Sequence, residues 1–128
     1  MRLLLDTHTL LFWIYEPERL GAAAMRALTN RDNLVYWSVA SSWEIAIKVG
    51  LGKLRLDGSP GVVIPAELLR NGFNLLPIDH RHVLAVADLP RHHGDPFDRL
   101  LIAQAMAEGL ALVTADSRIG EYGVPLIW

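Results

Sequence analysis

Four acids recur at the same kind of place in this 128-residue sequence, each beside a short apolar segment. Asp6 ends "LLLD", Glu44 lies in "SSWEIAIK", Asp98 in "GDPFDRLLIAQAMAEG" and Asp116 in "LVTAD". Carboxylates are hard oxygen ligands and proton acceptors, so a group of them suits a divalent cation and hydrolytic chemistry. Each also has a purely structural reading. Asp6 suits an Asx-turn, Asp116 caps a following turn, and Glu44 either completes a capping box with Ser41 or pairs with Lys48 at i,i+4. Asp95 before Pro96 reads as an N-cap with proline at the first helical position. Asp98 then falls in the first turn, where the helix N-terminus favours a negative charge.

The structural readings leave the shared location of the acids unexplained, and that location follows from the elements that carry them. The segments 2–5, 34–39, 73–78, 110–114 and 124–128 are short, apolar and mostly bounded by turn signals, as strands are. They lack apolar/polar alternation, which predicts a parallel sheet covered on both faces. Helical segments are predicted over 9–15, 18–29, 41–50, 61–71, 80–88 and 96–108, with Gly72 and Gly109 as C-terminal stops. This pattern gives a three-layer α/β/α domain spanning residues 1–128, with 50–61 as its one clear surface loop.

On this map Asp6 and Asp116 follow the first and fourth strands, and Glu44 lies in the first turn of the helix after the second. Asp98 shares a stripe with Ile102, Ala105 and Gly109 that faces the sheet. All four therefore look over the carboxyl edge of the strands, where open α/β sheets bind ligands. Four carboxylates about 5 Å apart, at an effective dielectric near 20, repel by roughly 3 kcal/mol per pair. A divalent cation removes that penalty. Oxygen ligands without cysteine point to Mg²⁺ or Mn²⁺ rather than zinc, and to hydrolysis of a phosphodiester by metal-activated water.

Composition narrows the alternatives. There is no cysteine, so no disulfide or thiolate site exists, which suits a reducing cytoplasmic setting. The N-terminal segment resembles a secretory signal, but Asp6 and His8 interrupt its apolar run, and no stretch is long enough to span a membrane. Net charge is −2, yet ten of the twelve basic residues are arginine, whose planar fork suits phosphate. A receiver-type or haloacid-dehalogenase-type phosphotransfer domain needs a lysine after a late strand. The two lysines, Lys48 and Lys53, are both early, and "DTHT" lacks the second aspartate of the dehalogenase motif.

"LLLDTHTLL", "SSWEIAIKVGLGKL", "GDPFDRLLIAQAMAEGLALVTADSRI" and "YGVPLIW", in that order, resemble the PIN-domain family, in particular the VapC-like ribonuclease toxins of type II toxin–antitoxin modules. The resemblance covers essentially the whole chain. It implies a five-stranded parallel sheet, a Mg²⁺ or Mn²⁺ site, endonucleolytic cleavage of RNA, neutralisation by a VapB-like antitoxin and a homodimer. The family's four acids fall on Asp6, Glu44, Asp98 and Asp116, and its hydroxyl position on Thr114. Asp95 is the helix cap or a fifth acid of the site. The alternative is a catalytically silent PIN-like module that binds RNA or protein.

Other residues carry open readings. Arg91 and Arg99 hold RNA phosphates, or Arg99 pairs with Asp95 or Asp98. His80, His82, His92 and His93 lack the helical spacing of metal ligands and are expected on the solvated surface. Phe12 and Trp13, in the apolar run "LLFWIY", belong to the core, stack on bases, or line a groove for an antitoxin helix. Trp43 divides between core packing and base stacking.

Overall fold

The computed structural model describes Met1–Trp128 throughout. Five strands, β1 (Arg2–Leu5), β2 (Leu34–Ser38), β3 (Asn74–Leu76), β4 (Ala111–Val113) and β5 (Leu126–Ile127), form one sheet. Their order is β3-β2-β1-β4-β5, and every pairing is parallel. The predicted five-stranded parallel sheet in a three-layer α/β/α domain is therefore observed. Six α-helices cover it: α1 (Thr7–Tyr15), α2 (Ala22–Thr29), α3 (Val39–Gly50), α4 (Pro60–Asn71), α5 (His80–Ala85) and α6 (Pro96–Glu108). No helix is long and apolar enough to cross a membrane.

Strand pleating explains the two apolar layers. Leu3, Leu5, Val35, Trp37 and Val113 point to one face and pack with Leu10, Leu28 and Ile45. Leu4 and Leu112 point to the other and pack with Leu101, Ile102 and Ala105 of α6. Leu3, Leu4 and Leu5 are all fully buried, a contribution of about 2 kcal/mol each.

Several boundaries move from those predicted. The segment 18–29 divides into a 3-10 turn (Pro17–Arg19) and α2, with the break at Gly21. A Cβ there would stand 2.4 Å from the backbone carbon of Trp128, whose carbonyl accepts hydrogen bonds from Ala23 and Ala24. The helix expected from residue 41 starts at Val39, capped by the Ser38 hydroxyl, so Ser41 and Glu44 form no capping box. Ser41 instead accepts a hydrogen bond from Thr7 at 2.9 Å. The loop 50–61 is also less open than its composition implies, since Leu56 is buried in the core. Gly72 and Gly109 do close α4 and α6, with φ of 67° and 66°.

The connections set the site. Helices returning from one parallel strand to the next run against the strands, so their N-termini lie at the carboxyl edge of the sheet. Between β1 and β4 the chain direction reverses across the sheet, opening a crevice at that edge.

Candidate metal centre

Asp6, His8, Glu44, Lys48, Asp95, Asp98, Asp116 and Arg118 line this crevice together with Thr9, Phe12 and Ala115, enclosing a cleft of 410 Å³. The acids expected to converge do so. Asp6 leaves β1 with its backbone N–H still bonded to Val113 of β4 at 3.1 Å. Its side chain makes no helix-cap hydrogen bond and accepts one from the Thr114 hydroxyl at 2.7 Å. Thr114 in turn accepts the N–H of Asp116 at 3.1 Å, so one buried hydroxyl fixes two acids. Burial raises the Asp6 carboxyl, against the Thr114 hydrogen bond and the nearby His8, while Glu44 pushes it further up.

Glu44 is buried, and Lys48 donates to its Oε2 at 2.6 Å, the i,i+4 pair open to it in the sequence. Its Oε1 is buried with no donor. Asp116 caps the following 3-10 turn through Arg118 N–H and is held two-pronged by the Arg118 guanidinium at 3.0 and 2.7 Å. Those bonds keep its carboxyl below the ordinary value.

The two aspartates of α6 divide as the sequence allowed. Oδ1 of Asp95 accepts the N–H groups of Phe97 and Asp98 at 2.9 and 3.1 Å, so it caps the helix from the cleft rim. Asp98 projects into the cleft, with His93 Nε2 at 3.8 Å from its Oδ2. Burial, followed by repulsion from Asp6, Asp95, Glu44 and Asp116, pushes its carboxyl up to about 7.

An unpartnered Glu44 oxygen and a carboxyl held up by four others are the two features that an oxygen-liganded divalent cation relieves. The donor set fits such an ion. Asp6, Glu44, Asp98 and Asp116 supply anionic oxygens from four segments, on a frame that Thr114, Lys48 and Arg118 hold in place.

Residues 3–125 match the sequence model of the PIN domain. The chain belongs to the PIN-domain family. This PIN domain is 32% identical over 124 residues to ribonuclease VapC22 of Mycobacterium tuberculosis, covering 95% of this chain and 92% of that one. Its fold is shared with chains of lower identity. One, in VapBC2 of Rickettsia felis bound to a promoter DNA fragment, superposes with a TM-score of 0.71 at 16% identity, over 98% of this chain and 97% of that one. Another, in FitAcB of Neisseria gonorrhoeae, gives 0.62 at 24%, over 97% and 95%.

Some expectations for this PIN domain need correction. Arg99 is buried and turned away from the cleft. It donates to the carbonyls of Pro90, Val86 and Leu89 and to the Tyr122 hydroxyl at 2.8 to 3.3 Å, with no ion pair to Asp95 or Asp98. Its planar fork serves as an internal clamp, its donors spent on the protein's own carbonyls and hydroxyl. Phe12 and Trp13 do not share a groove. Phe12 lines the cleft beneath Arg19, whose guanidinium lies 4.3 Å from the ring centroid, whereas Trp13 packs against Phe73 at 5.9 Å. Successive helical residues diverge by about 100°, which separates them. Arg91 is exposed on the loop before α6 and lies outside the cleft lining.

Two of the four histidines also depart from a solvated surface, whereas His80 and His92 are exposed as expected. His82 is buried and completes the capping box of α5, accepting the Asp79 N–H at Nδ1 and facing Glu108 at 2.9 Å through Nε2. His93 turns inward beside Asp98, while its neighbour His92 faces Glu121 at 3.5 Å. Arg118 was missed in the sequence because it is two residues beyond Asp116, and only the 3-10 turn brings it back over the carboxylate. Trp43 is 58% exposed and meets Phe97 edge-to-face at 5.2 Å, a pair linking α3 to α6.

Proposed function

We propose that the protein is a Mg²⁺- or Mn²⁺-dependent endoribonuclease, acting in the cytoplasm as the toxin of a type II toxin–antitoxin module. The observation that carries this reading is the Asp98 carboxyl, raised by burial and four neighbouring acids in a cleft that also holds Lys48 and Arg118. Kinship to ribonuclease VapC22 over nearly the whole chain supports RNA as the substrate. The VapBC2 neighbour of Rickettsia felis supports a VapB-like antitoxin as partner. A homodimer belongs to the same proposal.

Asp6, Glu44, Asp98 and Asp116 would hold the ion, with Asp95 at the rim setting the start of α6. Once bound, the cation supplies charge neutralisation for the phosphodiester and lowers the proton affinity of water. The chain's own groups do the rest. Thr114 orients Asp6, Oε1 of Glu44 is free to accept a water's hydrogen, and Arg118, with its donors not all used by Asp116, faces the incoming phosphate. Arg91, on the exposed loop leading into α6, extends the phosphate path outward. Hydrolysis of this kind leaves 5′-phosphate and 3′-hydroxyl ends. Phe12, at the cleft wall, is the apolar contact offered to the antitoxin.

The test is direct. Purified protein with Mg²⁺ or Mn²⁺ is expected to cut cellular RNA, chelation to stop it, and Asp6→Asn to abolish it with an unchanged circular dichroism spectrum. Equal cleavage by Asp6→Asn overturns the assignment.

A further inference from the structure

His93 is 8% exposed, and neither of its ring nitrogens has a hydrogen-bond partner. An imidazole buried with two idle nitrogens is costly, so its position asks for a partner. The backbone leaves it little freedom. The His93 N–H donates to the Tyr122 hydroxyl at 3.2 Å, and its ring lies 5.5 Å from the Tyr122 ring. Tyr122 is itself anchored by Arg99 at 3.2 Å, so the Arg99 clamp and the His93 loop form one rigid unit. That unit aims the ring at the acids. One atom each from His93, Asp98 and Asp116 lie within 4.8 Å of one another, with His93 Nε2 at 3.8 Å from Asp98 Oδ2. Two ligands of one ion, each at about 2.1 Å, stand roughly 3.0 to 4.2 Å apart. His93 Nε2 and Asp98 Oδ2 already stand within that range, and the Asp116 oxygen lies within 4.8 Å of both groups.

We infer that His93 is a nitrogen ligand to the divalent cation held by Asp98 and Asp116, which makes the site selective for a transition metal such as Mn²⁺ over Mg²⁺. This inference rests on the proposed metal site and deepens it. Imidazole nitrogen is a softer donor than carboxylate oxygen and favours first-row transition ions, whereas Mg²⁺ takes oxygen and water. Asp116 remains available to the ion although Arg118 holds it: Oδ1 accepts two bonds from Arg118, but Oδ2 accepts only one and keeps a second lone pair. His8 also lines the cleft but is exposed on α1, so it serves as the internal control.

Pulsed EPR of the intact protein loaded with Mn²⁺ reads the ligand without any turnover. The expected result is ¹⁴N modulation from one imidazole, retained in His8→Ala and lost in His93→Ala. By calorimetry, wild type should prefer Mn²⁺ to Mg²⁺, and His93→Ala should weaken Mn²⁺ by about tenfold or more while leaving Mg²⁺ nearly unchanged. The wild-type spectrum needs no variant, and His93→Asn provides a second if the alanine variant unfolds. Mn²⁺ binding that Asp98→Asn abolishes but that shows no ¹⁴N modulation, or modulation that survives in His93→Ala, overturns the ligand assignment and leaves the metal site standing. No binding of either ion overturns both.

Discussion

The Thr114 hydroxyl reaches across 108 residues of sequence to donate to Asp6 Oδ2 at 2.7 Å, while accepting the Asp116 N–H at 3.1 Å. A single buried oxygen therefore sets the spacing between the acids that end β1 and follow β4. Thr114→Val keeps the shape and removes both bonds. It is expected to cost about 1–3 kcal/mol in urea unfolding and to raise the Asp6 carboxyl further, since the lost bond was one that lowered it. Metal titrations of this variant should shift to higher pH.

Asp98 gives the apo protein a specific pH dependence. Its folded carboxyl titrates at about 7 against an ordinary 3.8, so the folded state holds the proton more tightly than the unfolded chain. The associated stability is fully present below 3.8 and is lost as pH rises to about 7. Solvent at the cleft mouth reduces the effect to about 1–2 kcal/mol. Apo protein should then melt higher when Asp98→Asn is introduced at pH 8, and gain little from that change at pH 4. Excess Mn²⁺ should erase the wild-type loss at pH 8. A variant that melts lower than wild type at pH 8 contradicts the repulsion.

Arg118 should affect the two ligands of the cleft in opposite directions. Its guanidinium occupies both oxygens of Asp116 and is, in the proposed function, also the cation that meets phosphate. Arg118→Ala is expected to tighten divalent-ion binding several-fold by calorimetry, because a competitor for Asp116 is gone. RNA should bind more weakly, with KM rising more than kcat falls.

Arg99 separates stability from substrate binding. A lysine cannot reach the three carbonyls and one hydroxyl that its fork spans. Arg99→Lys should cost about 2–3 kcal/mol in thermal or denaturant unfolding. At a temperature where the variant remains folded, KM for RNA should be unchanged. A large KM effect in the folded variant would return Arg99 to the substrate path.

How legible the site was follows from what positions each residue. Asp6 and Asp116 could be placed from sequence because a parallel strand fixes where its following residue goes, and Asp98 because helix periodicity aims it at the sheet. Asp95 was readable from the proline after it. Glu44 was placed in the right region for an imperfect reason, since the helix begins at Val39 under the Ser38 cap and not at a box closed by Ser41. His93 and Arg118 were not legible. Their directions depend on an irregular loop packed on Tyr122 and on a 3-10 turn, neither of which has a period that a sequence displays. Arg99 misled because a charged residue beside two acids invites pairing, whereas backbone carbonyls from a distant turn satisfy it.

The strand order also governs when the cleft comes into being. β4 is inserted beside β1, although more than a hundred residues are synthesised between Arg2 and Ala111. A ribosome-bound chain that has not yet released Ala111–Asp116 has neither the strand that flanks Asp6 nor the hydroxyl that orients it. The cleft is thereby incomplete through most of the chain's own translation, and the docking of β4 against β1 is the step that finishes it.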